Sequence, residues 1–291
     1  MEVAAIWCIV PVLAGPELTE AALADLLAQS VPVRVLVINQ GVDDAFRDRL
    51  ERLAEAHPQL YLWSHVPPLP SLAATWNRAL RFVWESGGTE ALVVNNDVNL
   101  RADTVEELCH VRKLTNALLI SAVGVTKEQF HREEGLLFAE DPDAEHPTLA
   151  KGGPDFSCFL ISKEGHEKYP FDEGFIPAFC EDLDCHRRYL LGGDGARIFS
   201  INLPYLHYSS QTLKTLPPDQ RARLDRQIET VCRVHYAKKW GGPVNDETFL
   251  RPFDPTSILG EGLAATPYLQ AHPEEIPARL AALPGPSVAV V

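Results

Sequence analysis

The chain has 291 residues, 46% of them hydrophobic, and its 26 Lys and Arg against 40 Asp and Glu give a formal net charge of −14. A chain of this length can bury a substantial core, so the composition excludes intrinsic disorder as the default state. The acidic excess argues against nucleic acid or an anionic membrane as the main partner, because both polyanions are bound through Lys and Arg.

The first part of the chain alternates apolar runs with amphipathic stretches, a pattern typical of a parallel α/β sheet. Ser71 and the Gly87-Gly88 pair are expected to cap the two ends of one helix. In chain order, the predicted elements are strand 4–10, helix 16–29, strand 33–38, helix 44–56, strand 60–63, helix 71–85, strand 91–94, a helix beginning at Asp103, and strand 118–123.

The second part of the chain has a different pattern. Residues 126–154 are polar without a clear period and predict a long loop, and the Pro-rich residues 251–291 predict a wrapping or loosely ordered tail. Between them we predict strand 156–161, a short helix near Lys163, helix 181–191, strand 197–201, and a long helix 217–239 with Leu224, Ile228, Val231 and Tyr236 facing inward.

Cellular location is inferred from what the sequence lacks. No run approaches the roughly 18–20 apolar residues of a membrane helix, and no basic region precedes the apolar N-terminal stretch, so we expect neither a transmembrane segment nor a signal peptide. The six cysteines are scattered and form no CxxC pair, which suits reduced thiols. We therefore expect a cytoplasmic protein.

The segment ALVVNNDVNL, residues 91–100, places polar side chains directly after a buried strand. Ligands of open α/β sheets bind beyond the carboxyl ends of the strands, which is where Asn95, Asn96 and Asp97 would lie. A carboxylate there can hold Mg²⁺ or Mn²⁺, whose remaining ligands are substrate phosphates and water. The alternative is an Asx-rich turn that only ends the strand.

The segment FCEDLDCHRR, residues 179–188, carries Glu181, Asp182 and Asp184 at the predicted start of a helix. The helix dipole favours carboxylates at that end, so these acids need have no function. The preceding aromatic loop, FDEGFIPAF, is typical of a pocket wall. Burial and like charge beside it would raise the pKa of one acid, as suits a general base.

His207 follows a predicted strand, where a neutral imidazole could bind a metal, although a lone histidine is more often structural or exposed. The other histidines form no HxH or HExxH pattern, which makes zinc chemistry a poor interpretation. The sequence also lacks GxGxxG after its first strand, GxxxxGK[ST] and GxSxG. These absences disfavour dinucleotide-binding, P-loop and α/β-hydrolase functions.

In this order, the segments resemble the family-2 glycosyltransferases of the GT-A fold, especially the rhamnosyltransferase-like branch. The resemblance covers roughly residues 4–250. It is carried by VLVINQGVDD (35–44), LAATWNRAL (72–80), LVVNNDVNLRADTVEEL (92–108), PDFSCFLISKEGHEKYPFDEGFIPAFCEDLDCHRRYLLGG (154–193) and HYSSQT (207–212). The stretch from FDEGF to EDLD is its most specific part.

The resemblance implies a GT-A (Rossmann-like) α/β fold, with a mixed, mostly parallel central sheet flanked by helices and a C-terminal helical extension. The implied domains are a catalytic domain over 1–215, with a nucleotide-binding half to about 125 and an acceptor-side half after it. A C-terminal helix over 216–250 and the tail at 251–291 follow.

The implied activity is inverting, metal-dependent transfer of a sugar from a nucleotide-diphosphate donor to an acceptor hydroxyl. The donor would be of UDP, dTDP or GDP type, and the acceptor a glycan, a lipid-linked molecule or a protein. A homo-oligomer is possible, and no nucleic-acid partner is expected. Two alternatives stay open: a catalytically silent nucleotide-sugar-binding protein, and a metal-dependent nucleotidyltransferase or phosphohydrolase.

Site residues follow from matching positions in the resemblance. Asp97 matches the metal-binding carboxylate and His207 a further ligand of Mn²⁺ or Mg²⁺, while Asp182 matches the catalytic base, with Glu181 and Asp184 as supporting acids. The implied nucleotide-sugar-binding residues are Pro11, Asn39, Asp44, Asn77, Asn95, Asn96 and Asp155. The sequence departs from the family at Asn95, which replaces the usual first carboxylate, at Gln40-Gly41-Val42, and at Ala79.

Overall fold

The computed structural model describes residues 5–64, 67–130, 153–208, 214 and 216–257. Within these ranges the chain forms an eight-stranded sheet flanked by helices. Its strands are β1 (Ile6–Val12), β2 (Val33–Asn39), β3 (Leu60–Ser64), β4 (Glu90–Val94), β5 (Val98–Asn99), β6 (Leu119–Val125), β7 (Cys158–Ser162) and β8 (Ile198–His207).

In the first part of the chain the described helices alternate with the strands, and the last two helices follow the final strand. The described helices are α1 (Pro16–Leu27), α2 (Asp44–Ala56), α3 (Leu72–Glu85), α4 (Thr104–Thr115), α5 (Lys127–Phe130), α6 (Lys163–Lys168), α7 (Glu181–Leu191), α8 (Pro218–Gln227) and α9 (Arg233–Trp240). A π-helical turn, Ile228–Cys232, joins α8 to α9. None of the helices described is long and apolar enough to cross a membrane.

The strand order is β3-β2-β1-β4-β7-β6-β8-β5. β1 to β4 run parallel, β7 runs antiparallel to both of its neighbours, and β6 pairs with β8 in parallel. Because β7 is reversed, its beginning reaches the edge of the sheet where the parallel strands end. The mixed, mostly parallel sheet confirms the predicted fold class.

The core lies on both faces of the sheet, which explains why the central strands are almost wholly apolar. β4 is buried along its whole length, and successive side chains enter opposite core clusters, with Leu92 on one face and Val93 on the other. Helix starts are fixed locally: Ser71 Oγ accepts a hydrogen bond from Ala74 N, at 3.1 Å, as expected of the α3 cap.

The predicted boundaries agree with the structure to within a few residues for most elements, and α2 and α7 match their predicted ranges. β8 is six residues longer at its C-terminal end than predicted. Pro204 lies within it, at a register shift against β6 between Ser121 and Val123, where a residue without an N–H is tolerated. The short strand β5 was not predicted, and it pairs Val98 with His207.

The predicted C-terminal helix is two α-helices joined by the π-helical turn. Ile228 and Tyr236 are buried as expected and Leu224 is half-buried, but Val231 is 37% exposed, so its predicted inward position was wrong. Val231 lies inside the π turn, which has more residues per turn than an α-helix and so rotates this side chain away from the expected face. The predicted loop at 126–154 begins with the short helix α5, and residues 131–152 and 258–291 lie outside the described residues.

Candidate active site

A cavity of about 530 Å³ opens where β1, β2 and β4 end, between the starts of α3 and α7. Its lining residues come from widely separated parts of the chain and are Pro11, Val12, Leu13, Gln40, Pro68, Leu69, Pro70, Ser71, Leu72, Thr75, Trp76, Asn95, Asn96, Asp97, Asp155, Phe156, Ser157, Pro177, Ala178, Phe179, Glu181, Asp182, His207 and Leu224. The position agrees with the rule that open α/β sheets bind ligands beyond the carboxyl ends of their strands.

Asp97 and His207 form a pair on one side of the cavity. Antiparallel pairing of Val98 with His207 brings them together, and Asp97 Oδ1 lies 3.6 Å from His207 Nε2. Burial lowers the pKa of His207, but the negative charge of Asp97 outweighs that effect and leaves the pKa above its usual value. The pair is therefore an anionic pocket that attracts a cation or a proton.

The donor set fits a hard divalent cation. Bonds of about 2.1 Å allow two donors to share one cation when they are no more than about 4.2 Å apart, and the 3.6 Å separation meets that condition. No cluster of three or more His, Cys, Asp or Glu with metal-binding geometry occurs among the described residues. Mg²⁺ and Mn²⁺ sites with few protein ligands are completed by substrate phosphates and water, so two protein ligands suit such a site.

Asn95, Asn96 and Asp155 also line the cavity. Asn96 Nδ2 donates to Ala14 O at 2.7 Å and to Thr19 Oγ1 at 2.8 Å, which fixes the start of α1 against the end of β4. Asp155 accepts from Tyr205 Oη at 2.7 Å and stands at the entry to β7. Asn96 and Asp155 therefore have structural roles and also line the cavity.

Glu181 and Asp182 line the cavity from the first turn of α7. Burial raises the pKa of Glu181 to about 8, and the neighbouring Asp182 carboxylate adds to the rise. Burial also raises the pKa of Asp182. Glu181 is 4% exposed and its Oε2 has no hydrogen-bond partner. Adjacent buried acids with raised pKa values are the kind of pair from which a general base and a neutral neighbour are drawn.

The backbone before Glu181 is strained. Phe179 and Cys180 have φ values of 85° and 72°, in the left-handed region that side chains other than glycine rarely adopt. Strain of this kind persists only where surrounding contacts impose it, and it is concentrated at functional sites. The strained pair turns the chain so that α7 starts at the cavity wall.

Asp184 lies outside the cavity lining, although the resemblance grouped it with Glu181 and Asp182. It is fully buried on another face of α7, where its carboxylate accepts from Arg188 Nε at 2.8 Å and from Trp240 Nε1 at 3.0 Å. Residues two apart on a helix do not share a face, so Asp182 and Asp184 point in different directions. The structure thus gives Asp184 a packing role against α9.

Three residues matched to nucleotide binding also lie outside the lining. Asn39 Oδ1 accepts from Gly41 N at 2.8 Å and from Val42 N at 3.0 Å, which shapes the turn after β2. Asp44 is exposed and forms an ion pair with Arg47. Asn77 is buried beneath the loop that follows α6, and the cavity contains none of the three side chains.

Asn77 holds the loop that leads to α7. Its Nδ2 donates to Phe171 O at 2.8 Å and to Glu173 Oε1 at 2.9 Å, and its Oδ1 accepts from Phe171 N at 3.0 Å. His166 Nε2 lies 3.0 Å from the same oxygen. One asparagine therefore fixes both polar groups of the Phe171 backbone against α3.

The C-terminal helix holds this loop from the other side. Lys239 Nζ lies 2.5 Å from Asp172 Oδ2 and 2.7 Å from Asp184 Oδ1, and Lys239 is 5% exposed. Burial would raise the pKa of Asp172, but hydrogen bonds from Lys239 and His235 hold it well below its usual value. Cys232 Sγ donates to Ala178 O at 2.9 Å. Helix α9 and the turn before it thus fix both ends of the loop.

Gln40 and Trp76 line the cavity and were missed by sequence reasoning. Gln40 Nε2 and Trp76 Nε1 are buried and have no hydrogen-bond partner. Gln40 follows β2 directly, and this position after a strand could have identified it as a residue of the site. Nothing in the sequence marks Trp76 as a residue of the site, because a tryptophan in an amphipathic helix normally packs in the core.

The sequence matches no protein-family model, and no curated protein matches it. Solved structures with a similar fold include a mannosyltransferase from Pyrobaculum calidifontis in complex with GDP-Man and Mn²⁺, with a TM-score of 0.53 and 16% identity. The match covers 73% of this chain and 60% of the mannosyltransferase.

Two further solved structures agree. Glucosyl-3-phosphoglycerate synthase from Mycobacterium tuberculosis, in complex with Mn²⁺, UDP and glucosyl-3-phosphoglycerate, has a TM-score of 0.51 and 17% identity over 78% of each chain. Residues 1–349 of S. aureus TarS have a TM-score of 0.51 and 13% identity over 78% of this chain and 66% of that one. The chain therefore has the fold of these transferases, which is the predicted GT-A fold.

Proposed function

We propose that the protein is a glycosyltransferase that binds a nucleotide-diphosphate sugar with the help of a divalent cation and transfers the sugar with inversion. The observation that carries this proposal is that the Asp97–His207 pair and the Glu181–Asp182 pair line one cavity from different elements of the fold. The first pair is suited to a metal ion and the second to acid–base chemistry. Solved structures of the same fold that contain Mn²⁺ with GDP-Man or UDP support the donor class.

In this proposal, Asp97 and His207 hold Mn²⁺ or Mg²⁺ and Asn95 lies beside them. The cation would neutralise the negative charge that develops on the departing diphosphate. The cation also explains how an acidic cavity accepts an anionic donor. The side chain of Asn95 adds no charge, so the bound cation keeps more of its positive charge for the diphosphate.

Asp182 acts as the general base. It takes the proton from an acceptor hydroxyl as the hydroxyl oxygen forms a bond to the anomeric carbon. The bond from that carbon to the diphosphate oxygen breaks, the electron pair leaves with the nucleoside diphosphate, and the configuration inverts. Burial raises the pKa of Glu181 to about 8, so Glu181 retains a proton near neutral pH and adds no second negative charge beside Asp182.

Donor hydrolysis tests the proposal without knowledge of the acceptor. The protein is incubated with UDP-, GDP- and dTDP-sugars, with and without Mn²⁺, and release of nucleoside diphosphate is measured. We expect one donor class to be hydrolysed in a Mn²⁺-dependent manner, and Asp182→Asn to slow that reaction by about 10²–10⁴-fold. The exposed Asp225, replaced by Asn, is the matched control.

Two results would refute the proposal. The first is that no donor changes the melting temperature in the presence of Mn²⁺ and none is hydrolysed. The second is that Asp182→Asn turns over the donor as fast as the wild type. A donor that binds with Mn²⁺ but is never hydrolysed or transferred would instead support the catalytically silent binding protein.

A further inference from the structure

The cavity has an uneven distribution of polar and apolar groups. Polar side chains at the ends of β4 and β8, with Asp97 and His207, line part of it, whereas other segments form an apolar rim. This rim is formed by residues 68–70, Leu72, residues 177–179 and Leu224. The diphosphate of the donor would be held at the metal-binding end, and with UDP bound the apolar groups that the donor leaves uncovered are available to the second substrate.

The charged side chains that line the cavity are predominantly acidic. Four carboxylates line it, from Asp97, Asp155, Glu181 and Asp182, while no Lys or Arg of the described residues does. A cation at Asp97 and His207 would be used by the donor diphosphate. Among the described lining residues, none would then offset the negative charge that an anionic acceptor meets as it approaches Asp182.

Apolar surface continues outside the cavity. Ile176 is 38% exposed and Val231 37% exposed, and they flank the contact in which Cys232 Sγ donates to Ile176 O at 3.2 Å. Phe179, on the rim itself, is 39% exposed. Exposed apolar groups that adjoin a lined pocket are typical of a ligand-binding surface.

From these three observations, we infer that the acceptor is an uncharged hydroxyl compound with an apolar portion, which packs on the rim formed by residues 68–70, Leu72, 177–179 and Leu224 while its hydroxyl reaches Asp182. The inference rests on the proposed function and narrows its acceptor class. Burial of the apolar portion provides the binding energy for such an acceptor.

Binding of two neutral glycosides tests the rim directly. Methyl β-glucoside and octyl β-glucoside differ only in their alkyl chain, and both are titrated calorimetrically into the protein saturated with Mn²⁺ and UDP, below the critical micelle concentration of the octyl compound. We expect at least about 10-fold tighter binding of the octyl glucoside, with a more negative heat-capacity change, because apolar surface is buried. Glucose 6-phosphate, as the anionic arm, should bind no better than methyl β-glucoside.

Leu224→Gln places a polar group on the rim at little risk to the fold, since no residue of α8 is buried. We expect this variant to lose most of the preference for the octyl chain. Leu114→Gln is the matched control, because Leu114 is 70% exposed on α4 and lies away from the cavity. It should keep the full preference.

Several results would overturn the inference. They are equal affinity for the two glucosides, no binding of the octyl compound, tightest binding of glucose 6-phosphate, or equal loss of preference in both leucine variants. Arg223 and Arg226 flank Leu224 in sequence outside the lining, so the anionic arm also tests whether they bind an acceptor. A Mn²⁺-dependent shift of the melting temperature with UDP or GDP, recorded in parallel, shows whether a failure concerns the rim alone or the proposed function itself.

Discussion

Lys239 and Asp184 form a buried ion pair, with 2.7 Å between Nζ and Oδ1, that joins the C-terminal helix to the helix carrying Glu181 and Asp182. The same ammonium group contacts Asp172, in the loop before that helix. The ammonium group of Lys239 thus offsets the negative charge of two carboxylates, and without it these carboxylates would have fewer positive partners. The start of α7, and with it the cavity wall, depends on this contact.

Lys239→Met should destabilise the protein by about 3–5 kcal/mol, because it leaves Asp172 and Asp184 without their shared cation in a buried setting. Urea denaturation measures the change in the free energy of unfolding. Lys238→Met is the control, since Lys238 is exposed and its loss should change stability by no more than about 0.5 kcal/mol. Equal effects of the two variants would show that the buried ion pair does not stabilise the fold.

Glu181→Gln should flatten the dependence of stability on pH. The pKa of Glu181 is about 8 in the folded protein against an ordinary 4.5, so between these values the folded state binds a proton that the unfolded state has released. The wild type therefore loses stability as pH rises from about 5 to 8, and above pH 8 the loss is complete. The Gln variant cannot ionise at this position and avoids that loss.

Melting temperatures recorded from pH 5 to 9 check this prediction. Above pH 8, we expect the Gln variant to melt at least about 2–4 °C higher than the wild type, which corresponds to about 1 kcal/mol for a protein of this size. The raised pKa of Asp182 leaves part of the slope in place. Glu167→Gln, at an exposed position on α6, should retain the wild-type slope. An unchanged slope in Glu181→Gln would mean that Glu181 is ionised in the folded protein at neutral pH.

His207→Ala should weaken the Mn²⁺-dependent binding of nucleotide by at least about 10-fold while the fold persists. His207 supplies one of the two donors of the proposed metal site and is at the end of β8, where its side chain is 24% exposed. The shift of the melting temperature with UDP or GDP, with and without Mn²⁺, reports the effect. His57→Ala, at the end of α2, serves as the control. Retention of the full Mn²⁺ effect in His207→Ala would remove this residue from the site.

Asn77→Ala should cost at least about 2 kcal/mol of stability, because it leaves both polar backbone groups of Phe171 buried without their partners. The neighbouring Arg78 is exposed, and Arg78→Ala should have little effect. The pair of variants also separates two interpretations of Asn77. A change in nucleotide affinity at unchanged stability would support the nucleotide-binding role that the resemblance implies, instead of the loop-anchoring role described here.

Hydrophobic periodicity was sufficient to predict most of the sheet and its helices. The apolar runs of β1, β2 and β4 are strands buried on both faces, and α2 is amphipathic with an Asp43 cap that accepts from Phe46 N at 2.8 Å. Features that depend on tertiary contacts could not be found this way. β5 has two residues and exists only because β8 pairs with it, and β8 continues past Pro204 only because its register shifts there.

The candidate site was predictable where a residue follows a strand or begins a helix. Asn95, Asp97, Glu181 and Asp182 belong to such positions and line the cavity, whereas Pro11 lies within β1 and was matched only through the resemblance. The exceptions have local causes. Asn39 bonds to its own turn and Asp184 faces α9, and a linear motif does not reveal side-chain direction.

The two-residue pairing of β5 with β8 has a consequence for the order of assembly during synthesis. Asp97 is made early and His207 more than a hundred residues later, and Val98 opposite His207 is the contact that aligns them. A nascent chain that ends before β8 contains every helix and strand from β1 to β4 but only half of the proposed metal site. The proposed metal site is therefore complete only after the last strand of the chain has joined the sheet.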